Sequence, residues 1–73
     1  SLELKSNIIK WLKKEANKCE IGKKYSALAK IYEKLITWVS DIEKLEYKKK
    51  LFIVYTKLGK VRESLELEKN IAR

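Results

Sequence analysis

A short stretch centred on glycine occurs twice in this 73-residue chain. The first copy is the segment 21–28 around Gly22, and the second, 37 residues later, is the segment 58–65 around Gly59. Each copy has an aliphatic residue before the glycine, a lysine after it, and then a small residue followed by a leucine. Because apolar residues at helical spacing flank both copies, the repeat predicts two helical hairpins that each turn at a glycine.

The first half of the chain carries two apolar stripes with steps of three and four residues. They predict a first helix over residues 2–20 and a second over residues 23–39, packed against each other as an antiparallel hairpin. The stripes consist of Leu4, Ile8, Leu12, Ala16 and Cys19 in the first helix, and Leu28, Ile31, Tyr32, Leu35 and Val39 in the second.

The third helix is expected to begin at Asp41, because Ser40 and Glu43 fit the capping box at a helix N-terminus. Its apolar stripe starts with Ile42, Leu45 and Phe52 and turns toward Leu51 and Leu58. A single helix from there to the C-terminus would extend about 48 Å, at about 1.5 Å per residue, and would overhang its partners.

A break at Gly59 removes the overhang and predicts a fourth helix over residues 60–72, which buries Val61, Leu65 and either Ile71 or Ala72. The alternative is three helices with the third kinked at Gly59, since an interior glycine costs only about 1 kcal/mol. The chain contains no proline and only two glycines, which favours long helices. We therefore expect an all-α fold: one domain over 1–73, a small antiparallel bundle of four helices in two hairpins.

Two sets of small, aromatic and aliphatic positions surround the turns. One set is Trp11, Gly22, Ala27 and Leu28 with Tyr55, Leu58, Gly59, Ser64 and Leu65; the other is Ala16, Glu20, Gly22, Tyr25, Ala27, Leu28, Ile31, Tyr32, Leu35 and Ile36. The first set resembles the tetratricopeptide repeat, a helix pair with such residues at its contact points. The second set more closely resembles the MIT domain (microtubule interacting and trafficking). That resemblance implies capture of short, often helical, motifs in a groove between helices.

Apolar residues that the predicted stripes leave unused are candidates for a partner-binding groove, because a docked helix contacts anchors at three- and four-residue spacing. These candidates are Ala29, Ile36, Ile53 and Leu67. Protein–protein interaction through them is the function that the sequence favours, although a small bundle can also use such residues to complete its core.

The formal net charge is +8, from 18 Lys plus Arg against 10 Asp plus Glu, which favours anionic partners. Solvated lysine faces are the plain interpretation of this excess. If the basic residues converge near Trp11 and Trp38, they instead predict a surface for nucleic acid, which is the alternative function. The basic residues in question are Lys13, Lys14, Lys48, Lys49 and Lys50.

The composition argues against an enzyme and against a bound cofactor. The chain has no histidine and one cysteine, Cys19, so it contains neither a histidine-based triad nor a four-ligand zinc set. A third hypothesis is Ca²⁺ binding at the start of the third helix by Asp41, Glu43 and Glu46. Helix capping and stabilisation of the helix dipole explain the same acidic residues without a metal.

No apolar run approaches the about 18 residues that a membrane-spanning helix needs, and the start of the chain does not look like a signal peptide. Cys19 falls on the apolar stripe of the first helix. We interpret it as a small buried apolar residue whose thiol stays reduced, which indicates a reducing compartment. We therefore expect a cytosolic protein. The dominance of Lys and Glu among the polar residues is typical of proteins from hot-growing organisms.

Overall fold

The structure is a computed structural model, and it describes residues 2–72. These residues form α1 (Leu2–Ile21), α2 (Tyr25–Trp38), α3 (Asp41–Lys57) and α4 (Val61–Ala72). The prediction of an all-α fold with four helices is confirmed. The alternative of three helices is wrong, because α3 ends at Lys57 and the chain turns at Gly59, whose φ is 73°.

Each helix packs against its neighbours in the chain. Within residues 2–72, close backbone contacts join α1 to α2, α2 to α3 and α3 to α4, and none joins α1 to α4. The backbone envelope measures 36 × 31 × 13 Å. The bundle is therefore an open, flat row of helices. Its core lies on both sides of α2 and consists of Leu12, Ala16, Leu28, Ala29, Tyr32, Leu35, Val39, Leu51, Val54 and Tyr55.

Two side-chain ion pairs set the direction of α1 relative to α3. Lys13 Nζ donates to Glu43 Oε2 at 2.7 Å, and Lys50 Nζ lies 3.9 Å from Glu20 Oε1. In both pairs the partners are 30 residues apart in sequence, so α1 and α3 run parallel. Long side chains bridge them, although no close backbone contact joins these two helices in the described chain. Because α2 packs against both of them, it closes the space behind this pair.

The N-terminus of α3 lies where the sequence places it. Ser40 Oγ accepts a hydrogen bond from the backbone N–H of Glu43 at 3.5 Å. The carboxylate of Glu43 binds Lys13. One half of the predicted capping box is therefore present, and the glutamate side chain ties α3 to α1.

The turns that follow α1 and α3 share one hydrogen-bond pattern, in which a residue with positive φ follows the helix. In the first turn this residue is Lys23, with φ 54°, and the N–H of Lys24 donates to Cys19 O at 2.9 Å. In the second it is Gly59, and the N–H of Lys60 donates to Tyr55 O at 2.9 Å. The sequence predicts that the first hairpin turns at Gly22, but its left-handed residue is Lys23, one position later.

The structural repeat is consequently 36 residues long, and the 37-residue spacing of the glycines is misleading. The first helices of the two hairpins end at Ile21 and Lys57, and the second helices begin at Tyr25 and Val61. Both differences are 36. In this register Tyr32 of α2 corresponds to Glu68 of α4, and its neighbours Ala29 and Ile36 correspond to Leu65 and Ala72.

This register explains why α4 buries less than predicted. Tyr32 is 2% exposed, and its ring lies 5.7 Å from that of Tyr47 on α3. The corresponding side of α4 has no neighbour among the described residues, so Val61 and Leu65 are 64% and 52% exposed and Ala72 is also exposed, whereas Ile71 is half-buried. Val61, Leu65, Glu68 and Ala72 are called the α4 outer face below.

The predicted apolar stripe of α3 is also partly wrong. Ile42 is 87% exposed and Leu45 is 43% exposed, whereas the buried residues are Leu51, Val54 and Tyr55. The reason is that α3 contacts α2 and α4, and both meet it on the side of the buried residues. The beginning of the predicted α1 stripe is exposed as well, at Leu4.

Candidate interaction surface on the third helix

An apolar stripe on α3 faces solvent. It consists of Ile42, Leu45, Lys49 and Ile53, which are spaced by three and four residues and therefore share one side of the helix. We call this stripe the α3 outer face. With Glu46 and Lys50 it lines a cleft of about 410 Å³. Ile53 is 54% exposed, so the stripe offers aliphatic surface along most of the helix.

A second cavity adjoins this stripe. It has a volume of about 200 Å³ and lies where α1 ends, α2 begins and α3 nears its end. We call it the α2–α3 pocket. Lys50 and Ile53 line both the cleft and the pocket, so the two are continuous. The remaining lining residues of the pocket are Glu20, Tyr25, Leu28, Tyr32, Val54 and Lys57.

Hydrogen bonds from buried tyrosines fix the wall of the pocket. Tyr32 of α2 donates its hydroxyl proton to Glu20 of α1, and Lys50 of α3 lies beside the same carboxylate. Burial raises the pKa of the Tyr32 hydroxyl well above its ordinary value, and the hydrogen bond to Glu20 raises it further. Three helices therefore meet at one carboxylate, which favours a preformed pocket.

A similar contact holds α3 against α2. Tyr55 donates its hydroxyl proton to Glu33 Oε2 at 2.5 Å, and burial followed by this hydrogen bond raises the pKa of Tyr55. Burial also raises the pKa of Tyr47. On the α1 side, the hydrogen bond to Glu43 raises the pKa of Lys13. These contacts fix the position of α3 through side chains outside its outer face, so the outer face stays available to a partner.

Lysines surround the surface. Lys57 Nζ lies 5.4 Å from the centre of the Tyr25 ring at the rim of the pocket, where a cation–π contact orients it. Lys49 and Lys50 line the cleft, and the carboxylates nearby belong to Glu46 and Glu20. Lys49, Lys50 and Lys57 outnumber these two carboxylates, so the local excess of charge is positive.

The four predicted partner-binding residues do not form one groove. Ile53 lies at the centre of the surface described above. The prediction for Ala29 is corrected, because it is 3% exposed in the core between helices and no partner can reach it. Ile36 and Leu67 are half-buried against the core. Leu67 lines a separate cavity between α3 and α4.

The sequence pattern places Ile42 and Leu45 in the core stripe of α3, whereas the structure exposes both. A signal was present, since α3 carries apolar residues on two sides. One side is the outer face, and the other contains Leu51, Val54 and Tyr55. A helix with two apolar sides needs a neighbour on each, and the structure supplies one only for the inner side.

The five predicted basic residues do not converge. Lys13 and Lys50 pair with glutamates between α1 and α3, and Lys48 Nζ donates to Asn70 Oδ1 at 3.4 Å on α4. Lys49 lies on the α3 outer face, and Lys14 is exposed on α1. The hypothesis of one joint basic surface is therefore wrong, because the helical register sends these lysines in different directions.

The acidic residues at the start of α3 contact lysines. Asp41 Oδ1 lies 3.6 Å from Lys44 Nζ, and Glu43 binds Lys13. Among residues 2–72, no group of three or more His, Cys, Asp or Glu side chains is placed to hold a metal ion. Asp41, Glu43 and Glu46 therefore do not form the convergent set of oxygen ligands that the Ca²⁺ hypothesis needs.

The helices between residues 2 and 72 include none with the length and apolar character needed to cross a membrane. A scan against protein families, a search of curated proteins and a search of solved structures each find no match to this chain.

Proposed function

We propose that this protein is a non-enzymatic interaction module that binds an amphipathic helix or short peptide of a partner on the α3 outer face. The observation that carries the proposal is the alignment of three exposed aliphatic side chains with the α2–α3 pocket. A partner helix lying along α3 would cover Ile42 and Leu45 and place one apolar side chain in the pocket beside Ile53.

The energy available from this surface fits a moderate affinity. Complete burial of an aliphatic side chain contributes about 1.5–3 kcal/mol. Ile42, Leu45 and Ile53 start at 87%, 43% and 54% exposed, so their burial recovers a large part of that energy. The cost of association opposes this gain. The affinity therefore depends on the side chain that fills the pocket and on charge.

The charge around the surface favours an acidic partner. Lys49, Lys50 and Lys57 can pair with carboxylates that flank the apolar side of a docked helix. The resemblance of the first hairpin to MIT domains supports capture of a short motif. We further propose that the protein acts in the cytosol, where the single free thiol of Cys19 stays reduced.

Two model peptides test this proposal. Both are amphipathic helices with leucines at three- and four-residue spacing; one carries glutamates beside the leucines and the other carries lysines. We expect the acidic peptide to perturb the amide resonances of α3 and of the start of α2 in a titration followed by NMR, and the basic peptide to bind at least tenfold more weakly.

Paired substitutions locate the site. Ile42→Asp with Ile53→Asp should abolish binding of the acidic peptide and leave the fold intact, because both side chains are exposed. The matched control is Val61→Asp with Leu65→Asp on the α4 outer face, which carries the same chemistry at similar exposure. Equal loss in the two double variants would contradict the proposed location, and the absence of binding by either peptide would contradict an acidic helical ligand.

A further inference from the structure

The exposed side of α1 combines aromatic, aliphatic and basic residues in one helical face. Trp11, Lys14, Lys18 and Ile21 follow steps of three and four residues, and Lys10 adjoins them. Trp11 is 59% exposed and Ile21 is 78% exposed. We call these five residues the α1 outer face. They are distinct from the residues that line the α3 cleft and the α2–α3 pocket.

The 36-residue register shows what this face replaces. Trp11, Glu15 and Lys18 of α1 correspond to Tyr47, Leu51 and Val54 of α3. On α3 these three positions contribute to the core, and Tyr47 meets Tyr32 of α2. The aromatic residue is therefore kept on α1, whereas two buried aliphatic residues are replaced by charged ones.

This replacement argues against a protein helix as the occupant. A helix packed on α1 as α2 packs on α3 would bury Glu15 and Lys18, whose charged groups lie 3.4 Å apart. Burying this ion pair would remove its hydration, and the attraction between the two charges would not offset that cost. Binding to an anionic lipid surface does not require these charges to be buried. The lysine ammonium groups reach the phosphates, while the lysine stems and the tryptophan ring enter the boundary with the acyl chains.

The charge along α1 fits that occupant. Lys10, Lys14 and Lys18 are exposed, and Lys23 and Lys24 continue the basic run in the following turn. The carboxylates on this side are Glu3 near the N-terminus and Glu15, which lies beside Lys18. Lysines beside an exposed tryptophan supply charge for the lipid phosphates and an amphipathic ring for the headgroup level.

We propose that the α1 outer face binds anionic phospholipid membranes peripherally, with α1 in the plane of the interface and Trp11 inserted at the level of the headgroups. The lysines attract the anionic headgroups, and Trp11 and Ile21 supply the apolar contact with the lipid. This activity is separate from peptide binding on α3, because the two surfaces share no residue.

Vesicle co-sedimentation tests the proposal. The protein is mixed with vesicles of one part phosphatidylserine to two parts phosphatidylcholine, or with phosphatidylcholine alone. We expect binding to the anionic vesicles only, weakened by added salt. In a Trp38→Phe background Trp11 is the single tryptophan, so its emission should shift to shorter wavelength on binding. Equal binding to both kinds of vesicle, or no shift of the Trp11 emission, would overturn the proposal.

Two double variants of equal charge separate a local site from a general effect of net charge. Lys10→Gln with Lys14→Gln should weaken partition onto anionic vesicles about thirty-fold, since each lysine near the surface contributes about 1 kcal/mol. The control is Lys30→Gln with Lys34→Gln, a pair at the same spacing on the exposed side of α2, which should change partition less than threefold. Equal effects, or tight binding to duplex DNA without binding to the vesicles, would refute the assignment.

Discussion

Replacing each glycine by alanine distinguishes the structural register from the register of the sequence repeat. Gly59 has φ 73°, and a side chain there has open space but a strained backbone. That conformation costs an L-residue about 1–2 kcal/mol. Alanine also restricts the unfolded chain more than glycine does, which raises the free energy of unfolding by about 0.4–1 kcal/mol. We therefore expect Gly59→Ala to lower the free energy of unfolding by about 1 kcal/mol.

Gly22 behaves differently because its φ is not positive. A Cβ atom at this position would lie 3.4 Å from Lys18 O, an ordinary contact. Only the effect on the unfolded chain remains, so Gly22→Ala should raise the free energy of unfolding by about 0.4–1 kcal/mol. Lys23→Gly removes the strain at φ 54° at the cost of a more flexible unfolded chain, and we expect a gain of about 0.5 kcal/mol.

Urea unfolding followed by far-ultraviolet circular dichroism measures these differences, and thermal unfolding checks them. The two alanine variants should differ by about 1.5–2 kcal/mol, and each 1 kcal/mol shifts the Tm of a domain of this size by about 4–8 °C. If Gly22→Ala destabilises the protein as much as Gly59→Ala does, the two glycines are equivalent and the 36-residue register is wrong.

Three further predictions concern the core, the tyrosines and the α4 outer face. Leu35→Ala should cost about 2–5 kcal/mol in urea unfolding, since Leu35 is 0% exposed; a cost below about 1 kcal/mol would contradict its central position. Because the folded-state pKa values of Tyr32 and Tyr55 are raised, their stabilisation is complete below about pH 10 and is lost as pH rises further. Tyr32→Phe with Tyr55→Phe should therefore flatten the alkaline fall in stability, and an unchanged pH profile would refute this account. Glu68→Leu completes the apolar α4 outer face and should cause self-association in light scattering, whereas Glu66→Leu, outside that face, should leave a monomer; association of both variants or of neither would contradict the assigned face.

Local sequence signals predicted the helices well because their causes are local. The cap at Ser40 is confirmed by its hydrogen bond to Glu43, and the break near Gly59 is confirmed by the positive φ in that turn. The apolar spacing around Leu12 and Leu35 also identified core residues, which are 3% and 0% exposed. Each of these features depends on residues within one or two helical turns.

The candidate surface was harder to predict, because periodicity identifies an apolar stripe but does not say which neighbour covers it. Ile42 looks like a core residue until α2 and α4 are seen to meet α3 on its other side. Ala29 looks like a spare apolar residue until α3 is seen to cover it. The turn at Lys23 was missed for a related reason, since an adjacent glycine is the stronger local signal although the backbone uses the lysine.

The open row of helices has a consequence for how the molecule comes apart. Within the described chain α4 packs only on α3, and Ser64 is its one buried residue. Amide protons of α4 are therefore expected to exchange with solvent through local unfolding that needs little free energy. Those of α2, which is packed on both sides, should exchange only when the whole protein unfolds. Detachment of α4 leaves α1, α2 and α3 in contact, so the pocket that they form outlasts the loss of the last helix.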